Sequence, residues 1–177
     1  EDLVNFNDIP QFPKSGYQVD VSWRDLLRFV DGAVREDGLI LAPDFQRGHV
    51  WTAEQRIAYV EYVLRGGEGG NELCFNRYGW GGRVGRDGPY EILDGLQRLT
   101  TAMMFMRGEL RAFGRLVTEY EGRLRYYAGF KWRIFELPTR ADVLRYYLDM
   151  NAGGTPHAAS EIERVRKLLA KEPVHVG

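Results

Sequence analysis

Tyr90-Glu91-Ile92-Leu93-Asp94-Gly95-Leu96-Gln97-Arg98-Leu99-Thr100-Thr101 reads as a short strand, a sharp turn and the opening of a helix. Tyr90 to Leu93 is apolar and strand-like, and Gly95 permits backbone angles that a side chain would resist. From Leu96 onward, Leu99, Met103 and Met106 recur at helical spacing. A strand that feeds a helix through a tight glycine turn points the free N–H groups of the helix at whatever lies above the strand end. Such a helix start attracts anions, phosphate above all. The turn also carries a carboxylate (Asp94), an amide (Gln97), a guanidinium (Arg98) and two hydroxyls (Thr100, Thr101). A carboxylate suits a metal ion, and an arginine suits a phosphate through forked hydrogen bonds. The same residues also allow a plainer reading: Asp94 caps the helix, Gly95 is a simple turn and Arg98 is solvated surface.

Two further stretches stand out on either side. Pro43-Asp44-Phe45-Gln46-Arg47-Gly48-His49-Val50-Trp51 runs into Thr52-Ala53-Glu54-Gln55, a capping box that predicts a helix from Ala53 to Arg65, stopped at Gly66-Gly67. Gln46 and Arg47 thus sit just ahead of a second helix start, while Trp51 reads as a core residue. Met150-Asn151-Ala152-Gly153-Gly154-Thr155-Pro156 closes one predicted helix, with Asn151 or Gly153 free to turn left-handed, and opens the last one.

Asp94-Gly95-Leu96-Gln97-Arg98 resembles the Asp-Gly-Gln-Gln-Arg motif of the N-terminal domain of GmrSD-type modification-dependent restriction enzymes and related phage-defence proteins. Residues 43–51 resemble that family's upstream segment, and residues 150–156 its downstream Asn-x-Gly-Gly segment, in the family's order. Leu96 stands where the family has its first Gln, and His49 where an aromatic is common. The resemblance implies an α+β domain similar to the ParB/sulfiredoxin-like superfamily, with a small mixed sheet and a helical C-terminal part. It also implies a nucleoside-triphosphate site, a divalent metal such as Mg2+, and NTP hydrolysis. Carried onto this sequence, Asp94 would hold the metal or orient the attacking group, Gln97 would position water or the base, and Arg98 would hold phosphate. Gln46, Arg47, Gly95, Thr100, Thr101, Asn151, Gly153 and Gly154 would complete the nucleotide site, with Glu161 as a further carboxylate. Two alternatives remain open: kinase-like transfer to a hydroxyl, such as a hydroxylated DNA base, and a non-catalytic module that senses a nucleotide or modified DNA for a partner nuclease.

Length and composition bound the rest. The 177 residues suffice for one domain, read here as an extended arm over 1–16, a central body and C-terminal helices over 139–177. A net charge of −1 argues against a strongly basic nucleic-acid binder, though not against a local basic groove. One cysteine, Cys74, excludes a disulfide framework within the chain and fits a reducing cytosol. No apolar run reaches the roughly 20 residues of a membrane span, and no signal-peptide pattern is present. Nothing after Gly154 is long enough for a nuclease domain, so DNA cleavage would fall to a separate subunit.

The remaining elements follow from period and punctuation. Strands are expected at Tyr17–Val21, Leu39–Leu41, Leu73–Tyr78 and Phe130–Leu137, with a weaker one near Arg115–Tyr120. Ser22 should cap a helix whose buried side is Leu26, Leu27, Phe29 and Val30, and Thr139 another that runs to Met150. Gly79–Gly88 reads as a glycine-rich hairpin loop without the P-loop pattern. Cys74 reads as a small core residue. From Glu109 to Gly129, Arg111, Arg115, Arg123 and Arg125 interleave with Phe113, Tyr120, Tyr126 and Tyr127. That composition suits either a single-strand nucleic-acid platform or a solvated β-face. His49, His157 and His175 show no zinc spacing, and no G-x-G-x-x-G follows a strand.

Overall fold

The structure is a computed structural model that describes residues 5–14, 16–46, 50–78, 89–153 and 159–173. Five strands form one mixed sheet: β1 (Tyr17–Ser22), β2 (Leu39–Ile40), β3 (Glu72–Arg77), β4 (Tyr90–Asp94) and β5 (Gly129–Phe135), in the order β1-β5-β3-β4-β2. β1 pairs antiparallel with β5, and β3 antiparallel with β4; β5–β3 and β4–β2 are parallel. The α+β class with a small mixed sheet is borne out.

One face of the sheet is covered by α1 (Trp23–Asp37), α2 (Ala53–Leu64) and α3 (Leu96–Met106). Trp23, Leu26, Val30 and Ala33 of α1 are buried at helical spacing. Beneath them Trp132 stacks on Phe75, with ring centroids 3.9 Å apart, and its indole N–H donates to the Tyr90 hydroxyl at 2.7 Å. The other face is covered by α4 (Arg140–Gly153) and α5 (Ala159–Ala170), whose Val143, Leu144, Tyr147, Ile162 and Val165 pack on Phe45, Cys74, Leu93 and Phe135. Two apolar cores therefore share one sheet, as strands buried on both faces require.

The caps read from the sequence are present. Ser22 Oγ accepts from Arg24 N at 3.3 Å. Gln55 N donates to Thr52 Oγ1 at 3.2 Å while Thr52 N donates to Gln55 Oε1 at 2.9 Å, completing the capping box. Trp51 is half-buried rather than in the core, edge-on to Tyr59. The arm holds one 3-10 turn at Phe6–Asp8, and none of its described residues is buried.

Two more expectations are corrected. Arg115–Tyr120 is not a strand. Phe113 and Gly114 both take positive φ and reverse the chain, so that Ala112 bridges to Arg115 and a 3-10 turn follows at Val117–Glu119. The Glu119 carboxylate then accepts from both Arg111 and Leu116 N, which closes the loop on itself and leaves no free ladder to pair. The helix expected to end at Met150 continues to Gly153, so Asn151 lies inside α4 and not in a left-handed cap. The Gly79–Gly88 loop lies outside the described residues.

Candidate functional site at the β4–α3 turn

The strand end is shaped by one extra residue. Phe75 of β3 faces Ile92 of β4, but Cys74 faces Asp94, so Leu93 is a bulge. A bulge offsets the two-residue alternation and re-aims the side chain that follows it. Asp94 thereby shares the face of Cys74, under α4, and not the face of Tyr90 and Ile92. Its charge reaches Cys74, Tyr146 and Tyr147. Burial pushes the Cys74 thiol up to about 12, and the Asp94 carboxylate adds to the rise. Cys74 is therefore a protonated core residue, as expected, and not a nucleophile.

Gly95 makes the turn, at φ 97°. A Cβ there would sit 2.3 Å from Leu73 Cδ2 and 3.4 Å from the Glu72 carbonyl, so glycine is required by space as well as by backbone angle. Among the described residues no side chain caps the α3 N-terminus, the kind of helix start that suits an anion.

Arg98, one turn into α3, reaches back across this end. Its Nη2 donates to the Glu72 carbonyl at 2.8 Å and to Asp94 Oδ2 at 3.2 Å. Its Nε is buried and has no hydrogen-bond partner among the described residues. Gly70 packs against the stem: a Cβ there would lie 3.3 Å from Arg98 Cδ. Asp94 and Arg98 are therefore brought together, with the arginine half-used by the fold.

Both amides are tied down by one end. Gln97 Oε1 accepts from Trp51 N at 3.0 Å, which joins α3 to the approach of α2. Gln46 Nε2 donates to the Ile92 carbonyl at 2.6 Å, which pins the 43–46 turn to β4. Thr100 is half-buried on α3, whereas Thr101 is fully buried and its Oγ1 has no hydrogen-bond partner among the described residues. Asn151 and Gly153 lie in the last turn of α4, one turn past Tyr147. Glu161 is buried and accepts a hydrogen bond from the Tyr147 hydroxyl, which ties α5 to α4. Arg47 and Gly154 lie outside the described residues. Among the described residues, no three His, Cys, Asp or Glu side chains group closely enough to cage a metal.

A second polar cluster supports the site and was missed in the sequence. Arg140, the first residue of α4, donates to Glu91 Oε1 and Oε2 at 3.1 and 3.3 Å, pairs with Asp44, and lies over the Phe45 ring. Arg164 of α5 donates to the Phe45 carbonyl at 3.1 Å. Together they hold the 44–46 turn against β4. Burial raises the pKa of Glu91, and Arg140 opposes that rise. The available signal was one charged residue, Glu91, flanked by the apolar Tyr90 and Ile92; Arg140 and Asp44 lie about fifty residues away on either side and leave no local pattern.

Part of this arrangement comes from the segments that carry the resemblance, and a family comparison decides its lineage. Residues 27–149, more than half of the chain, match the family model described as GmrSD restriction endonuclease, N-terminal domain. The chain belongs to that family. The GmrSD N-terminal assignment places it in a restriction-related context. No curated protein and no solved structure matches it. No helix among the described residues is long and apolar enough to cross a membrane.

Proposed function

We propose that this GmrSD N-terminal domain binds a nucleoside triphosphate at the β4–α3 turn and hydrolyses it, in phage defence or phage DNA metabolism, alongside a separate nuclease subunit. The observation that carries the reading is the convergence at one strand end of the uncapped α3 N-terminus, Asp94 and an Arg98 whose buried Nε has no hydrogen-bond partner among the described residues. Phosphoryl transfer asks a protein mainly for positioning and charge neutralisation. The α3 N–H groups and the exposed end of the Arg98 guanidinium would bind phosphate oxygens. Asp94 is the residue that would hold a magnesium ion, whose charge would offset that of the phosphates. A lone carboxylate suits that ion, which takes one or two protein ligands and completes its shell with substrate oxygens and water. Gln97 would use Nε2, the end of its amide not engaged by Trp51, to orient water.

A second reading, nucleotide sensing without turnover, is favoured by Leu96. Its side chain packs against the apolar core, so the position supplies no amide to the site. Phosphate release from nucleoside triphosphates with magnesium, compared among wild type, Asp94→Ala and Arg98→Ala, separates the two. Hydrolysis predicts turnover that falls roughly 100-fold or more in both variants. Calorimetric binding that Arg98→Ala abolishes, without turnover in wild type, moves the assignment to sensing. No binding at all overturns both.

A further inference from the structure

A cleft of about 520 Å³ opens at the other end of α3, well within the range of ligand sites. Leu64, Phe105 and Met106 floor it, and Phe113, Tyr120 and Tyr127 wall it. Arg24, Arg123 and Arg125 line its mouth, with one carboxylate, Glu121. α3 has 11 residues, so the cleft lies about 16 Å along the helix from the β4–α3 turn.

The walls are held in place without help from a ligand. Phe113 takes φ 47°, a region bulky residues rarely adopt, and keeps about half of its surface (51%) exposed. Its N–H donates to Glu61 Oε1 at 2.7 Å, and Ala112 and Arg115 exchange backbone bonds around it. The Tyr120 hydroxyl donates to the Ala112 carbonyl at 2.5 Å, and that of Tyr127 to the Leu64 carbonyl at 3.4 Å. A strained aromatic fixed at the mouth of a cleft points to use, because the strain persists only where surrounding contacts impose it.

The charges are left free. Among the described residues, Arg24, Arg123 and Arg125 make no ion pair, in contrast to Arg111, which is paired with Glu119. Arg24 also sits in the first turn of α1, where the helix end adds positive potential. The last carbonyls of α3 are already taken by the N–H groups of Arg107, Gly108 and Glu109.

We propose that this cleft seats a base of single-stranded nucleic acid. The base stacks against the Phe113, Tyr120 and Tyr127 walls, the flanking phosphates lie on Arg24, Arg123 and Arg125, and Glu121 accepts from an exocyclic amino group. An acidic peptide would match the arginines but leave three flat walls without a ring to stack on. The site is independent of the nucleotide reading, since it shares no residue with the β4–α3 turn.

The test is fluorescence anisotropy of a labelled 12-nucleotide DNA strand with the full chain, read for Phe113→Gly, for Arg123→Glu with Arg125→Glu, and for Arg98→Ala. Glycine suits the Phe113 backbone angle, and the charge-reversed pair lies on exposed side chains, so one variant carries the test if the other unfolds. Wild type should bind the strand and Phe113→Gly should weaken it about tenfold, the scale of one lost stacking partner. The charge-reversed pair should weaken binding further and flatten its salt dependence. Arg98→Ala should leave it unchanged. An abasic strand bound as tightly as the normal one, an acidic peptide that competes equally, a loss confined to Arg98→Ala, or no binding at low salt would each overturn the proposal.

Discussion

The two ends of α3 use their charged groups in opposite ways. At the N-terminal end, the fold consumes them. Arg98 is tied to Asp94 and the Glu72 carbonyl, Gln97 to Trp51, and Arg140 to Glu91 and Asp44. At the C-terminal end, Arg24, Arg123 and Arg125 make no ion pair among the described residues, and aromatic side chains line the cleft between them. A site of the first kind is precise but holds few spare donors, so a ligand must complete bonds that the protein has begun. A site of the second kind has donors to spare and should respond strongly to salt.

Five variants test this difference, in falling order of effect. Arg140→Ala strands Glu91, whose side chain is only 5% exposed, and should cost about 3–5 kcal/mol at pH 7. Burial already holds the Glu91 pKa above its ordinary value. The folded chain therefore takes up a proton more readily than the unfolded one, and this group's contribution is full at low pH and lost as pH rises through the raised value. Without Arg140 that value rises further, so the deficit should shrink from pH 7 to pH 5. Urea midpoints at the two pH values check the sign, and an unchanged deficit would mean that Glu91 is not the cause.

Glycines at the two ends come next. Gly95→Ala combines a positive-φ penalty of about 1–2 kcal/mol with overpacking of about 1–3 kcal/mol against Leu73. Gly108→Ala at φ 75° meets nothing within 4 Å and should cost only the first of these, about 1–2 kcal/mol. Equal melting temperatures for the two variants would break the comparison.

Thr101→Val removes a buried hydroxyl that has no hydrogen-bond partner among the described residues and should stabilise the chain by about 1 kcal/mol. If nucleotide affinity falls at the same time, Thr101 belongs to the site after all. Smallest of all, the Arg123→Glu and Arg125→Glu pair should move stability by about 0.5 kcal/mol or less, since both side chains are exposed and neither makes an ion pair among the described residues. A clear drop in thermal stability would show that the cleft's arginines serve the fold.

Elements with a strong local signature were legible in the sequence. The Thr52–Gln55 capping box, the Ser22 cap, the Gly95 turn and the alternation of β5 all lie where the pattern put them. Misses fell where local pattern and long-range contact disagree. The 115–120 tract has β-like composition, but Glu119 and the reversal at Phe113 satisfy its backbone locally. The Asn151–Gly153 run looks like a cap, yet α4 continues through it, packed beside α5.

By itself the sequence determined the strands and helices that carry a strong local signature, and that Asp94, Gly95, Gln97 and Arg98 share one turn, because spacing and capping act over a few residues. It did not determine which face Asp94 occupies. That depends on the Leu93 bulge, a matter of how β4 registers against β3. Nor did it pair Arg140 with Glu91 and Asp44, or enclose a cleft between residues as far apart as Arg24 and Tyr127. Those contacts exist only once the chain has closed its long loops, and no nearest-neighbour preference encodes them.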